Sequence, residues 1–250
     1  MESRTGRDRA AAAAGPMSRP GGGAAASRTD RTGHDLLVAM AGRLPDPLLW
    51  RFRDWLAAGA HTALRSSIPR SLLRHRVGVT DAERAMLREV VTAWGGSLRH
   101  VDAVLHADTT PEAGATFGAH AAVEGWDAVD VLLRAVLPAV PDVLEVRRTW
   151  RSDRAARRAV PPPPARVVLL AARGDLPALA ATVARTLRAQ GEATPRVEVV
   201  GPGTPITAYH RDALAASELL WRGGLPAEPP GAPGPRVGDA PTTAELVGHG

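Results

Sequence analysis

The strongest folding signal in the chain is the segment Arg166–Val200, RVVLLAARGDLPALAATVARTLRAQGEATPRVEVV. It begins with a continuous apolar run over Val167–Ala172, which predicts a strand covered on both faces. Val197 and Val199 alternate with charged residues, as in a strand with one face exposed to water. A helix of the intervening length can join two parallel strands by a right-handed crossover. The segment therefore predicts a β–α–β unit with Val167–Ala172 inside the sheet.

The helix of this unit carries its own boundary signals. Gly174 ends the first strand, and the Asp175 side chain can accept a hydrogen bond from a backbone N–H of the first helical turn. Pro177 suits that turn because no N–H donor is needed there. The apolar residues that repeat at helical spacing are Leu176, Leu179, Val183 and Leu187. We therefore expect a helix that begins after Asp175 and ends before Gly191.

The segment 112–222 around this unit is predicted to be an α+β module of the ferredoxin-like type, with the element order βαββαβ. Thr116–Ala122 would be its first strand, although these residues have low β-propensity. Trp126–Val136 has helical periodicity, and Leu144–Trp150 alternates as a strand. A final helix over about Tyr209–Trp221 follows the last strand. Without the first strand, a small three-layer α/β sheet becomes the better interpretation.

The segment 33–108 predicts a helical module of four or five helices. One helix is expected to start at Asp46, with the Asp46 side chain as its cap and Pro47 in the first turn. Another is expected after Thr80, where Thr80 and Glu83 form a capping box and each side chain binds the other residue's backbone N–H. The aromatic residues of the first of these helices have helical spacing, which is more typical of a core than of a ligand site.

Both ends of the chain, residues 1–32 and 223–250, are predicted to be disordered. They consist mainly of Arg, Ala, Gly, Ser and Pro. With so few large apolar side chains, neither end can bury enough surface to offset the entropy lost on ordering. Met17 is an alternative start to Met1, because the residues between them continue the same composition.

The composition narrows the classes of function. The chain has 250 residues and no cysteine, so it can form neither a disulfide nor a thiolate metal site. All 31 of its Lys-or-Arg residues are arginine, yet the formal net charge is only +5. Acidic and basic residues are interspersed, which is weak support for nucleic-acid binding. No apolar run approaches the roughly 18–20 residues needed to span a bilayer. We therefore expect a cytoplasmic protein that does not associate with membranes.

Several short motifs resemble functional sites, but their surroundings argue against that interpretation. His210–Asp212 matches the catalytic triplet of protein kinases, but the chain contains no Asn or Lys to hold the metal ion and the ATP phosphates. Gly201–Gly203 lies between a strand and a helix, but its central proline removes a backbone donor for phosphate. His100 and His106 would point about 120° away from each other on a helix. We therefore predict no cofactor and no metal ion.

Two groups of arginines form the candidate surface for an anionic partner. The first group lies between Asp54 and Asp81 with no acidic residue in that interval, and the second surrounds a single acidic residue, Asp153. Guanidinium groups bind carboxylates and phosphates alike, and phosphate contacts give salt-dependent affinity without sequence specificity. The candidate residues are Arg70, Arg74, Arg76, Arg147, Arg148, Arg151 and Arg154.

The hypothesis that these features favour is a non-enzymatic regulatory or protein-interaction protein, in which a helical module is joined to an α+β module and binds another protein. The alternative is an arginine-rich factor associated with nucleic acid, which the two arginine groups would support. A third hypothesis is an enzyme whose catalytic residues are dispersed along the chain. A deep pocket with converging His, Asp or Glu side chains would favour the enzyme.

Overall fold

The protein has an α+β architecture, with helices in the first part of the chain and a mixed sheet in the second. The computed structural model describes residues 20–111, 114–119, 125–140, 142–153 and 162–223. The first described elements are the helices α1 (Pro20–Ala39), α2 (Asp46–Ala57), α3 (His61–Arg74), α4 (Asp81–Ala93) and α5 (Arg99–Asp102). They are followed by β1 (Ala115–Gly118), α6 (Ala128–Val136), a 3-10 turn (Leu137–Ala139), β2 (Val143–Asp153), β3 (Ala165–Ala172), α7 (Leu176–Ala189), β4 (Val197–Val200), α8 (Ala208–Ala215) and β5 (Glu218–Arg222).

The described strands form one five-stranded sheet. β1, β2, β3 and β4 are neighbours in that order. Only β3 and β4 are parallel, and every other pair is antiparallel. β1 and β5 both pair with β2, and they share the edge of β2 that faces away from β3. The sheet is therefore four strands wide, with β1 and β5 placed end to end along one side.

The predicted β–α–β unit is confirmed. β3 lies between β2 and β4, and Val168 and Leu170 of β3 pair with Val197 and Val199 of β4. The side chains of Val167–Leu170 are buried, as expected for a strand covered on both faces. At the start of α7, the Asp175 carboxylate accepts a hydrogen bond from the Ala178 N–H at 3.0 Å.

The ferredoxin-like arrangement predicted for residues 112–222 is not confirmed, although the element order βαββαβ is present. In a split β–α–β unit another strand lies between the two strands that the helix connects. Here α7 connects β3 and β4, which are direct neighbours. The strands joined through α6, β1 and β2, are antiparallel neighbours. The strand order is therefore sequential rather than interleaved.

The predicted helix Tyr209–Trp221 is wrong in its second half. α8 ends at Ala215, and β5 follows it. β2 has 11 residues, and β1 pairs with only four of them, so a stretch of its outer edge is free. β5 fills that edge, and Leu220 enters the apolar layer beneath the sheet. Unpaired backbone groups of a sheet edge favour strand addition, and helical periodicity cannot reveal such an edge.

α1 begins at Pro20, so residues 20–32 are helical rather than the disordered segment predicted from their composition. Contacts with distant parts of the chain explain the difference. Arg31 pairs with Asp35 one turn later, and it donates hydrogen bonds to the Thr204 hydroxyl at 2.9 Å and the Pro202 carbonyl at 2.8 Å. These partners lie more than 160 residues away along the chain, so composition could not reveal them.

A close approach of two helices also holds α1 in place. A Cβ atom on Gly33 would lie 3.1 Å from the indole of Trp94, the residue directly after α4, which is tighter than an ordinary contact. Glycine at this position lets the ring pack directly on the α1 backbone. The other predicted disordered segments, residues 1–19 and 224–250, lie outside the described residues.

Three apolar cores hold the described elements together. The largest joins α1, α2, α3 and α4. The second lies between one face of the sheet and the helices α6 and α7. The third is small and lies on the opposite face of the sheet, under α8.

Phe117 of β1 and Tyr209 of α8 meet edge to face at 5.0 Å between ring centres, and both pack against the helical core. The predicted modules 33–108 and 112–222 are thus in direct contact.

The two predicted helix starts in the helical part have different outcomes. The capping box is confirmed: the Glu83 N–H donates to the Thr80 hydroxyl at 3.3 Å, and the Thr80 N–H donates to the Glu83 carboxylate at 2.9 Å. The cap predicted at Asp46 is wrong, because Pro45 is the N-cap residue and makes no side-chain cap. The Asp46 carboxylate instead binds Arg151 of β2.

Candidate functional site

The first arginine group lies together on an exposed surface at the C-terminal end of α3. Arg70 and Arg74 are one helical turn apart, and Arg76 follows in the turn after the helix. All three side chains are exposed, and they make no ion pair or hydrogen bond with the described residues. Arg76 has a positive φ of 54°, which turns the chain sharply after the helix. We call these three residues the α3 arginine surface.

The second arginine group does not form an exposed surface. Arg148 and Arg151 are buried, and Arg147 is half-buried and paired with Glu145. Arg154 lies outside the described residues. The prediction failed because these residues belong to β2, an inner strand whose two faces are covered by helices. Alternation along such a strand directs successive arginines into both layers, where they bind carboxylates.

A buried charge network joins the helical part to the sheet. Arg53 of α2 donates to both carboxylate oxygens of Glu198 in β4, at 3.0 and 2.6 Å. Nε2 of His210 in α8 lies 3.1 Å from the same carboxylate. All three side chains are buried. Burial alone would raise the pKa of Glu198, but the charge of Arg53 and the hydrogen bond from His210 lower it to about 2. Glu198 is therefore a carboxylate at neutral pH.

The same helices cover the free edge of the sheet. β4 is an edge strand, and its Val197 and Val199 carbonyls point away from β3. Arg53 donates to the Val197 carbonyl at 2.6 Å, and Nε2 of His34 lies 2.9 Å from the Val199 carbonyl. An exposed edge would offer these groups to another strand. Side chains from α1 and α2 thus occupy the position that another strand would take beside β4.

His34 is held neutral by this arrangement. Burial lowers its pKa to about 4, the positive charges of Arg53 and Arg31 act in the same direction, and the hydrogen bond with Val199 opposes them. A carbonyl only accepts hydrogen bonds, so Nε2 carries the proton. Nδ1 is buried without a partner among the described residues. Protonation would place a second buried charge beside Arg53.

We expect stability to fall by about 3 kcal/mol because of His34 as the pH falls from about 6.5 to about 4. In this window the unfolded chain binds a proton that native His34 does not, so acid favours unfolding. Urea denaturation at several pH values would measure the slope. His34→Gln keeps a donor for the Val199 carbonyl but cannot titrate, so its slope should be shallower. His75→Gln, at an exposed site, should keep the wild-type slope, and equal slopes for all three proteins would contradict this role.

A second buried network lies under the opposite face of the sheet. Asp130 of α6 is fully buried between Arg148 and Arg166, and its Oδ1 lies 2.5 Å from Nη1 of Arg166. Glu192 and Asp127 bind further nitrogens of Arg166. Desolvation by burial outweighs the two guanidinium charges and raises the pKa of Asp130 above its usual value. The network anchors α6 to two strands.

A third contact fixes the start of α2 against the sheet. Arg151 binds both oxygens of Asp46, at 3.0 and 2.6 Å, and Arg196 donates to one of them at 2.7 Å. This pairing accounts for two arginines that sequence charge alone would assign to the surface.

Sequence reasoning missed Arg53, Glu198 and His210. Arg53 follows Phe52 on the buried side of α2, where the apolar periodicity indicated only core. Glu198 alternates with valines in β4, a pattern interpreted as an exposed face; α8 covers that face instead. His210 belongs to the kinase-like triplet, against which the lack of Asn and Lys in the chain argued. The available signal was Arg53, a charged residue at helical spacing from Leu49 and Leu56 on the buried side of α2. A charged residue in such a position requires a partner of opposite charge.

Two cavities in the described part of the chain are small or open. One of about 30 Å³ lies beside His210 and is otherwise lined mainly by apolar residues. It has room for water but not for a typical substrate. A wider one of about 240 Å³ lies at the end of β3 between Asp142, Arg173 and Asp175, all of them exposed. Neither of these two cavities combines depth with converging catalytic groups.

Neither a metal nor a membrane-spanning helix is indicated by the described part of the chain. No group of three or more His, Asp or Glu side chains there could hold a metal ion. None of the helices described is both long enough and apolar enough to cross a bilayer. Comparisons with protein-family models, with curated proteins and with solved structures found no match.

Proposed function

We propose that this protein is an interaction protein that binds an acidic surface of a partner protein through the α3 arginine surface. The observation that carries the proposal is that the exposed side chains of Arg70, Arg74 and Arg76 form no ion pair with the described residues. Many other arginines of the described chain bind carboxylates, in the interior or on the surface. Three adjacent exposed guanidinium groups without such partners favour an external anion. We place this role in the cytoplasm.

A protein partner fits this surface better than a nucleic acid does. Three arginines can neutralise only about three phosphates, and each contact would contribute little at physiological salt. α3 contains no Phe, Tyr or Trp, so it offers no ring on which a base could stack. A guanidinium group can bind a carboxylate through two parallel hydrogen bonds, which suits Asp and Glu on a protein surface.

Replacing Arg70, Arg74 and Arg76 together with Glu should weaken binding to poly-L-glutamate at least about tenfold, because attraction becomes repulsion at three adjacent positions. Fluorescence anisotropy with labelled polyglutamate at low ionic strength would measure the dissociation constant. Single-stranded and duplex DNA of equal total charge would be titrated in parallel. Tighter binding of either DNA than of polyglutamate, lost in the same variant, would favour the nucleic-acid alternative.

A matched control distinguishes the effect of the α3 arginine surface on binding from the effect of net charge. Arg28, Arg51 and Arg173 are also exposed, and they lie on α1, on α2 and after β3. Replacing these three with Glu changes the net charge by the same amount and should leave polyglutamate binding near the wild-type value. Equal losses in the two triple variants would show that overall charge, rather than the α3 arginine surface, governs binding. Melting curves should be similar for all three proteins.

A further inference from the structure

A chain of hydrogen bonds runs from the surface to the interior at the start of α8. The Thr207 hydroxyl lies 2.8 Å from Nδ1 of His210, and Nε2 of His210 lies 3.1 Å from Oε2 of Glu198. Arg53 holds both oxygens of Glu198 from the other side. A hydroxyl, an imidazole and a carboxylate in this order, each within hydrogen-bonding distance of the next, are the parts of a nucleophilic acyl-transfer centre.

Glu198 determines which atoms carry the protons in this chain of hydrogen bonds. An ionised carboxylate only accepts hydrogen bonds, so Nε2 of His210 carries the ring proton in the neutral imidazole. Nδ1 then has the free lone pair, and the Thr207 hydroxyl donates to it. This tautomer is the one required of a general base, because Nδ1 can take the hydroxyl proton when the oxygen attacks a substrate.

The backbone next to Thr207 offers a place for negative charge. Thr207 is the N-cap residue of α8, but its side chain makes no capping hydrogen bond. A threonine at this position usually accepts a hydrogen bond from the second or third N–H of the helix. Here the hydroxyl is turned toward His210, and the first N–H groups of α8 are left without a side-chain acceptor in the described chain. N–H groups at a helix start can stabilise an oxyanion.

We propose that Thr207 and His210 form an acyl-transfer centre that hydrolyses small esters. Oγ1 of Thr207 attacks the ester carbonyl carbon, and its proton passes to Nδ1 of His210. The carbon–oxygen bond to the leaving alcohol breaks, and the alcohol takes that proton. Water then attacks the Thr207 ester and gives a proton to His210. Thr207 leaves with that proton, and the carboxylic acid is released, so the starting state is restored.

The surroundings of Thr207 leave only its solvent side open to a substrate. Thr207 is partly exposed, whereas His210 is fully buried. Ile206, the preceding residue, is 40% exposed and offers an apolar contact on the solvent side. The cavity of about 30 Å³ beside His210 is too small to hold a substrate. An ester must therefore approach Thr207 from the open side.

Two measurements test this proposal. A fluorophosphonate probe should form an adduct on Thr207, located by peptide mass spectrometry, with loss of fluoride from phosphorus. Hydrolysis of p-nitrophenyl acetate should be catalysed by the wild-type protein, and Thr207→Val should lower the rate by about 100-fold because the nucleophile is removed. Thr207→Ser should keep both the adduct and measurable hydrolysis.

A control threonine distinguishes an activated hydroxyl from an ordinary one. The Thr182 hydroxyl lies on the exposed side of α7 and donates to the Ala178 carbonyl. Thr182→Val should leave hydrolysis unchanged, and Thr182 should not be labelled. His210→Gln should abolish labelling of Thr207; if that variant fails to fold, the Thr207 variants still decide the question. Absence of an adduct on Thr207, or wild-type hydrolysis by Thr207→Val, would overturn the proposal.

Discussion

Replacing Glu198 with Ala should lower the free energy of unfolding by about 3–5 kcal/mol, the typical cost of breaking a buried ion pair on one side. The replacement leaves the Arg53 guanidinium buried without its counter-charge. It also removes the acceptor of the His210 ring proton and opens a cavity between α2, β4 and α8. Urea denaturation followed by circular dichroism, with the m-value compared to the wild-type value, would measure the change.

An exposed pair provides the control for this variant. Arg88 and Asp102 also form an ion pair, but their side chains are 46% and 56% exposed. Asp102→Ala should therefore cost only about 0.2–1 kcal/mol, because solvent screens an exposed pair. Combining Glu198→Leu with Arg53→Met should recover part of the loss, since an apolar pair can replace a buried ionic one. A cost below about 1 kcal/mol for Glu198→Ala would show that water reaches the network.

Replacing Asp130 with Ala should have an effect of similar size, about 3–5 kcal/mol. Asp130 is fully buried and bridges Arg148 of β2 and Arg166 of β3. It also accepts a hydrogen bond from the Asp127 N–H in the capping box of α6. Its removal leaves two guanidinium groups with fewer partners and weakens the start of the helix. Urea denaturation would give the loss of stability, and hydrogen exchange would show whether α6 opens before the sheet.

Asp153 offers a comparison for Asp130 on the same sheet. It pairs with Arg151, but its side chain is 51% exposed, and Arg151 keeps both contacts with Asp46. Asp153→Ala should therefore cost less than about 1 kcal/mol. Equal losses of unfolding free energy in Asp130→Ala and Asp153→Ala would mean that burial of Asp130 between two arginines contributes no additional stability. Protection of α6 amides that is unchanged in Asp130→Ala would contradict the anchoring role.

Most signals within a few residues predicted the structure correctly, although the cap predicted at Asp46 did not form because its carboxylate binds Arg151. The Asp175 cap, the Thr80–Glu83 capping box and the buried strand β3 each depend on neighbours in the chain. The misassigned elements depend on distant partners. β5 forms because β2 has a free edge, and α1 extends back to Pro20 with contacts to residues beyond 200. The local pattern of apolar residues indicates neither the free edge of β2 nor the distant contacts of α1.

The arginines of the candidate site also divide into those whose exposure could be predicted from nearby sequence and those whose partners are distant. Arg70, Arg74 and Arg76 could be predicted as exposed cations, because no acidic residue lies near them in the sequence. The arginines of β2 could not be assigned, because the acids that neutralise Arg148 and Arg151 come from α6 and α2. Charge along a chain indicates a surface only when the element that carries it is exposed.

By itself, the sequence determined the β–α–β unit at Arg166–Val200, because a long apolar run, a cap and an amphipathic helix specify that unit locally. Only the tertiary structure decided the order of the strands, the edge taken by β5 and the partners of the buried charges. These features depend on pairing energies between groups that are far apart in the chain. The chain of contacts from Thr207 through His210 to Glu198 also exists only in the folded state, because β4 and α2 hold Glu198 in place beneath α8.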